Sequence, residues 1–325
     1  MVMVPRVGCC SGSVLGRPAR GRRLLASRAP RPPLLASPDV NARSLRSALL
    51  VLSLLASGCG GQEAVPSTEP PTSVTATSTT AEGPVLFGLP GPSTGLDETR
   101  CRPERILPGE ETWVPPAYSD SDIAALRSRT LVNPPELLPG DPYADPSLVP
   151  SDTSGVCAVL AEPSVAGGYR LATFPDRASA EAAGGVMTHS GACGACSSLQ
   201  DLAVYLSNPD LGEPVRQCAL LALTQGDQAA LDCIEGLGFT AACAQIWAFN
   251  SYHTRAECLG VCLAALNSPY HLPDGSLNPC LACDEEQSGP VFKAVAGRIR
   301  RNSGIPVAIC RPPEEIEAVL HNAYP

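Results

Sequence analysis

Lysine is almost missing from these 325 residues; Lys293 is the only one. Aromatic side chains are scarce too, at 4%, so any core must be built from small aliphatic groups and needs other reinforcement. The apolar run Ala48–Ala56 falls well short of the ~20 residues a helix needs to cross a bilayer. His189, His253 and His271 show no His-Glu-x-x-His or comparable spacing, and a surface or capping role is expected for each. The acid-rich stretch Asp141–Asp152 lacks the Asp-x-Asp-x-Asp-Gly order of a calcium loop and reads as a solvated loop. Net charge is −9 overall. Nine arginines and one aspartate precede Cys59, so 14 basic and 31 acidic residues lie beyond it, a net charge of −17. A chain that acidic repels nucleic acid and anionic headgroups, so a nucleic-acid partner is excluded.

Cysteine is abundant, with fifteen residues, ten of them between Cys193 and Cys310. The first informative one ends the segment Ser44-Leu-Arg-Ser-Ala-Leu-Leu-Val-Leu-Ser-Leu-Leu-Ala-Ser-Gly-Cys59, which follows Arg43. A short positive region, a brief apolar run and small residues before a cysteine have the proportions of an export signal. Ala56-Ser57-Gly58-Cys59 resembles the lipobox of bacterial lipoprotein signal peptides. The resemblance implies cleavage after Gly58, a diacylglycerol on the Cys59 sulfur and acylation of the new amino group. That double modification anchors a protein stably to a membrane. Gly60, in place of aspartate, leans toward outer-membrane sorting, within a cell-envelope, extracytoplasmic location. Residues 1–39 form an Arg/Pro-rich extension unlike an export signal, consistent with a start set too far upstream and Val40 as initiator. The signal is then 40–58.

Residues 59–84 read as the lipid anchor and a Ser/Thr/Pro tether with too little apolar content to repay ordering. A Pro-rich arm, 85–150, follows, with one short helix near Asp120–Thr130 capped by Ser119 or Ser121, and with Cys101 to tie it down. The Cys-rich domain spans 151–325. Val156–Ala161 and Tyr169–Phe174 flank Gly167-Gly168 as a hairpin. A helix is expected over Ala178–His189, starting at Pro175-Asp176 and interrupted at Gly184-Gly185. Helical periodicity then recurs at Leu199/Leu202/Ala203/Leu206, Val215/Cys218/Ala219, Ala230/Cys233/Ile234/Leu237, Phe239/Cys243/Ile246/Trp247, Leu259/Cys262/Leu263/Leu266, Phe292/Val295/Ala296/Ile299 and, in part, Ile316/Val319/Leu320. The fold class is mainly α, an α+β arrangement with a small β-hairpin: a disulfide-stapled, multi-helix domain.

Beyond Cys59 stand twelve cysteines: Cys101, Cys157, Cys193, Cys196, Cys218, Cys233, Cys243, Cys258, Cys262, Cys280, Cys283 and Cys310. An even number in an exported chain predicts six disulfides, whose pairing the sequence leaves open. The run Cys218-x14-Cys233-x9-Cys243-x14-Cys258 suits antiparallel helices clipped near both ends. Cys258 and Cys262, at i and i+4, share a helix face and are expected to take different partners. The Cys-x-x-Cys pairs 193/196 and 280/283 have zinc-ligand spacing, but 83 residues separate them and export removes free thiolates. Neither a metal nor a cofactor is expected.

Chemistry is most concentrated at Thr188-His189-Ser190-Gly-Ala-Cys193-Gly-Ala-Cys196-Ser197, where thiols meet the start of a helix whose dipole favours a thiolate. Gly191-Ala-Cys193-Gly-Ala-Cys196 resembles the nucleophile segment of papain-like proteases. That implies Cys196 as nucleophile and a disulfide on Cys193, although Ser190 and Ser197 replace the usual glutamine and aromatic residue. Cys193-Gly-Ala-Cys196 also has the active-site spacing of thioredoxin-like proteins, though the following βαβ pattern is absent. A thiol enzyme, either a cysteine hydrolase or a thiol–disulfide oxidoreductase, would use Cys196 and Cys193, with His189 as base. The last cluster is Arg298, Arg300 and Arg301, expected to end a helix over Val291–Asn302 that opens after Asp284, Glu285 and Glu286. Helix electrostatics account for this order, and three arginines in an acidic domain also suit a carboxylate or phosphate. No catalytic constellation is complete. The leading reading is a lipid-anchored binding or interaction module whose partner is an anionic small molecule or an envelope protein.

Overall fold

The computed structural model describes residues 83–325, which belong to one unit of the chain. The extension 1–39, the signal 40–58, Cys59 and the tether as far as residue 82 lie outside the described residues.

The described chain begins with a short strand, β1 (Leu86–Phe87), paired in parallel with β2 (Cys101–Arg102). Phe87 is fully buried and bridges to Arg311, and Cys101 bonds Cys310, so the Pro-rich arm is bound to the far end of the chain. Helix α1 (Asp120–Arg127) opens with a complete capping box: Ser119 accepts from the Asp122 N–H, and Asp122 accepts from the Ser119 N–H. Then come β3 (Thr130–Leu131), β4 (Val156–Ala161), β5 (Gly168–Phe174), helix α2 (Arg177–Ala182) and β6 (Val186–Ser190). The order β3-β5-β4-β6 makes one sheet, antiparallel at β5-β4-β6 and parallel at β3-β5. The hairpin at Gly167-Gly168 is as expected. The helix expected over Ala178–His189 is not: α2 ends at Ala182, Gly184 takes φ +73°, and Val186–Ser190 becomes an edge strand beside β4. Val186 and Thr188 are β-branched, which suits a strand better than a helix turn.

The second half is helical: α3 (Leu199–Ser207), α4 (Gly212–Gln225), α5 (Asp227–Gly236), α6 (Ala241–Ala264), α7 (Pro279–Gln287) and α8 (Gly289–Ala296). Leu199, Leu202, Tyr205, Ile234 and Ile246 are fully or almost fully buried in a core shared with the sheet residues Val159 and Tyr169. Each such side chain contributes roughly 1.5–3 kcal/mol relative to exposure.

The periodicities at Phe239–Trp247 and Leu259–Leu266, read as two helices, merge into α6. No glycine or proline stands between Trp247 and Leu259 to end the helix, and Gly260, inside the second segment, costs only about 1 kcal/mol. Helix α7 was not anticipated. Its signal is Asn278-Pro279, a side-chain cap that accepts from the Leu281 N–H at 3.0 Å followed by proline in the first turn. The helix expected over Val291–Asn302 stops at Ala296, because Gly297 takes φ +69°. Ile316, Val319 and Leu320 are not helical; a single 3₁₀ turn, Pro313–Glu315, precedes them.

All twelve cysteines are paired: 101–310, 157–193, 196–243, 218–233, 258–283 and 262–280. Cys218–Cys233 clips α4 to α5 as expected. Cys243 and Cys258 lie on one helix, α6, and therefore face different partners instead of completing a second hairpin clip. Cys258 and Cys262 take Cys283 and Cys280, two partners on α7. Six disulfides belong to an oxidising, extracytoplasmic compartment. Alkylation of the unreduced, denatured protein, read by intact mass, is expected to label none of the twelve. A single labelled Cys196 would break this pairing scheme.

Candidate functional site

The loop between β6 and α3 carries the residues with the most chemistry. Neither sulfur in it is free: Cys193 bonds Cys157 of β4, and Cys196, fully buried, bonds Cys243 of α6. They are not bonded to each other. The expectation of Cys196 as nucleophile, Cys193 as redox partner and His189 as base is corrected by this arrangement, because both sulfurs are structural crosslinks. His189 is fully buried instead of lying at the surface. Its Nδ1 is 2.9 Å from the Ser190 carbonyl, to which it must donate, so Nε2 accepts from Ser197 Oγ at 2.8 Å. Ser197 Oγ in turn accepts from the Gly194 N–H at 2.8 Å. A serine–histidine pair of reactive length is thus present but sealed, both residues having zero exposure. Burial, then the charge of Arg298, pulls His189 well below the ordinary histidine range.

Arg298 holds this loop. It is fully buried, and all five of its N–H donors are used. Nε donates to Cys196 O at 3.1 Å, Nη1 to Thr188 O at 3.0 Å and Ser303 Oγ at 3.2 Å, and Nη2 to Thr188 Oγ1 at 2.6 Å and Ser197 O at 3.1 Å. The close approach needs glycine on both sides, since a Cβ on Gly297 would lie 2.5 Å from Gly194 N, and one on Gly194 2.5 Å from Val295 O. Beside the knot, His321 Nε2 lies 2.7 Å from Ser303 O and must carry the proton. Nδ1 therefore accepts from the Tyr324 hydroxyl at 2.6 Å, which is also 2.9 Å from Thr188 Oγ1.

The three arginines do not converge on an anion. Arg300 donates to the carbonyls of Tyr205 and Asn208 at the end of α3 and stacks over the Tyr205 ring. Burial leaves it at about 10. Arg301 pairs with Glu285 at 2.8 Å and Glu315 at 2.5 Å. Arg298 is sealed while Arg300 and Arg301 stay part-exposed with separate partners, because the backbone turns at Gly297 and scatters residues that a continued helix would have aligned. His271 is buried with Nδ1 2.9 Å from Gly275 O, whereas His253 is half-buried, stacked on Tyr143 with Nδ1 3.0 Å from Ser288 Oγ.

Above the knot, the outer side of the same loop lines a cleft. Two hollows, of about 360 and 270 Å³, share Ser190, Lys293 and Asn302. The larger is walled by Arg105, Arg301, Glu314, Glu315 and Glu317, which with the shared Lys293 set three cations against three carboxylates. The smaller is walled by Thr153, Gly191, Ala192, Pro290, Ala294 and Gly297, and Lys293 is its one charged side chain. Lys293 Nζ sits 2.9 Å from Glu285 Oε2, which also binds Arg301, while Glu285 Oε1 binds Arg311 at 2.5 Å. Burial pushes Glu285 up, but Arg311, Arg301 and Lys293 outweigh it and bring it to about 2. One carboxylate thus serves three cations. Sequence reasoning found Arg301 and missed Glu285, Lys293 and Arg311 as a group; the single lysine of the chain was the available signal. Among the described residues no three His, Cys, Asp or Glu side chains are grouped to hold a metal.

Residues 227–319, from α5 to the C-terminal segment, match the model of a family of unknown function (DUF8771). No curated protein and no solved structure matches the chain.

Proposed function

We propose that this chain is an exported lipoprotein, anchored through Cys59, whose disulfide-stapled domain is a binding module for a small carboxylate- or phosphate-bearing molecule. The observation that carries the ligand reading is the surplus of cations at Glu285. Lys293 can turn from Glu285 toward a ligand in the smaller hollow while Arg301 and Arg311 keep that carboxylate paired. In a chain otherwise strongly acidic, this is where an anion is attracted and not repelled. Ser190 and Thr153 also line this hollow and add hydroxyl-bearing residues to its wall.

Titration calorimetry with inorganic phosphate and with succinate tests the ligand. At least one is expected to give saturable binding that Lys293→Ala weakens by about ten- to a hundredfold, the loss of one charge-assisted bond. No binding of either probe, or binding indifferent to the substitution, would remove the reading. The anchor has its own test. Intact mass of detergent-extracted protein should show an acylated chain starting at Cys59, and Cys59→Ala should abolish acylation. An unmodified Cys59 would leave the ligand site standing and the anchor refuted.

A further inference from the structure

The last third of α6 has an unusual surface. From Cys258 through Pro273 no side chain carries a formal charge, in a domain where acids otherwise abound. Leu259 and Leu263 lie on one side of the helix and Leu266 in the turn just after it, and all four of Leu259, Val261, Leu263 and Leu266 are between 42% and 56% exposed. Val261 lies on the opposite flank, and the positions between are Gly260 and Ala264, also exposed. Only the Cys258–Cys262–Ala265 side is turned inward, where two disulfides fasten it to α7. Crosslinks have replaced apolar burial as the means of holding this segment. The sequence periodicity places Leu259, Cys262, Leu263 and Leu266 on one stripe; the structure turns Cys262 inward and leaves the three leucines in water.

A stripe on one face suits a groove or a second copy, which covers one side. A helix apolar at every exposed angle suits a medium that surrounds it. The placement of the chain's start points the same way. Gly83, the first described residue after the tether, sits beside the loop that follows this helix: a Cβ on Gly83 would lie 3.1 Å from Asp274 O, and Arg100 donates to Pro273 O and Asp274 O. The described chain therefore begins beside the loop that joins α6 to α7, whose first residues include Leu266. We infer that the tip formed by Leu259, Val261, Leu263 and Leu266 inserts into the apolar zone of a lipid bilayer, as a second contact that sets how the domain faces the membrane. The inference uses the Cys59 anchor only for the direction from which the membrane is approached.

The test removes the anchor. A chain of residues 59–325, exported behind an ordinary cleavable signal with Cys59→Ser, carries no acyl group and keeps all twelve disulfide cysteines. It is floated with phosphatidylcholine vesicles beside a variant carrying Leu259→Ser, Val261→Ser, Leu263→Ser and Leu266→Ser. The parent is expected to float in low and high salt alike, and the variant to bind at least about tenfold more weakly, since the contact is apolar. Adding phosphatidylglycerol should weaken the parent's binding through the acidic remainder of the surface. Unchanged circular dichroism and melting of the variant show that exposed positions were altered without unfolding. A parent that stays with the protein pellet, or a variant that floats equally, overturns the inference. So does sedimentation that finds a parent dimer dissociated by the four substitutions, which would make a second copy the occupant.

Discussion

Arg298→Met is expected to lower the free energy of unfolding by about 3–5 kcal/mol, the range seen when one member of a buried charged network is removed. The loss is large because Arg298 is not a surface cation with a neighbouring carboxylate. It is fully buried, and its charge is met by carbonyl and hydroxyl dipoles of Thr188, Cys196, Ser197 and Ser303. Methionine fills the stem volume but leaves the three carbonyls without donors, and each orphaned buried group costs about 1–3 kcal/mol. Arg298→Lys is also expected to destabilise, because three rotatable donors on one atom cannot serve five acceptors spread over a planar fork. Arg301→Gln provides the contrast. Its partners Glu285 and Glu315 lie partly open to solvent, and Glu285 keeps two other cations, so a loss within about 1 kcal/mol is expected. Urea denaturation followed by circular dichroism, with disulfides intact, separates these outcomes. An Arg298→Met midpoint as close to the parent as that of Arg301→Gln would show that the knot is not holding the β6–α3 loop.

Arg298 also shows where reading the sequence stops. Features encoded by neighbouring residues were legible: a helix cap at Ser119 or Ser121, the Gly167-Gly168 hairpin, the stripe of α3, and an even cysteine count that predicts six disulfides. Each depends on spacing of a few residues or on simple parity. Strand β6 was not legible, because its pairing with β4 is nonlocal and an alternating Val-Met-Thr-His run after a two-glycine break has no helical alternative only once the sheet exists. Arg298, Arg300 and Arg301 sit where helix electrostatics would put them, and only Gly297 in its left-handed conformation reveals that the helix has already ended. Glu285, Lys293 and Arg311 belong to three different segments, so no periodicity links them. The site residues were mistaken for the same reason that they matter structurally: two of the most reactive-looking side chains, Cys193 and Cys196, were consumed in crosslinks to β4 and α6.

Stability is expected to fall as pH drops from about 6.5 toward 4, and the sign follows from buried groups whose folded and unfolded titrations differ. Burial, then the charge of Arg298, holds His321 down to about 3 against an unfolded value of 6.5, and His189 is lowered for the same two reasons. A histidine depressed in the folded state contributes stability that is present above 6.5 and is lost as pH falls toward its folded value. For His321 alone the full loss is on the order of 5 kcal/mol, reached near pH 3. Asp201 works in the opposite direction. Burial raises it to about 6, against donors from Ser198 and Thr240 that pull it down. Its contribution is therefore present below 3.8 and is lost as pH rises through 6. At pH 5 His321 gives the unfolded chain about one proton more and Asp201 gives the folded chain about one more, so these two nearly cancel, and the lowered His189 and His271 set the sign of the fall toward acid. Relative to the parent, Asp201→Asn should therefore steepen the fall toward acid by about one proton near pH 5, and His321→Gln should flatten it by about one. Unfolding free energies from urea titrations at half-unit steps between pH 4 and pH 6.5 give each slope directly. Parallel slopes in all three proteins would mean that these groups titrate alike in the folded and unfolded chains, and that the polar core around Arg298 is open to water.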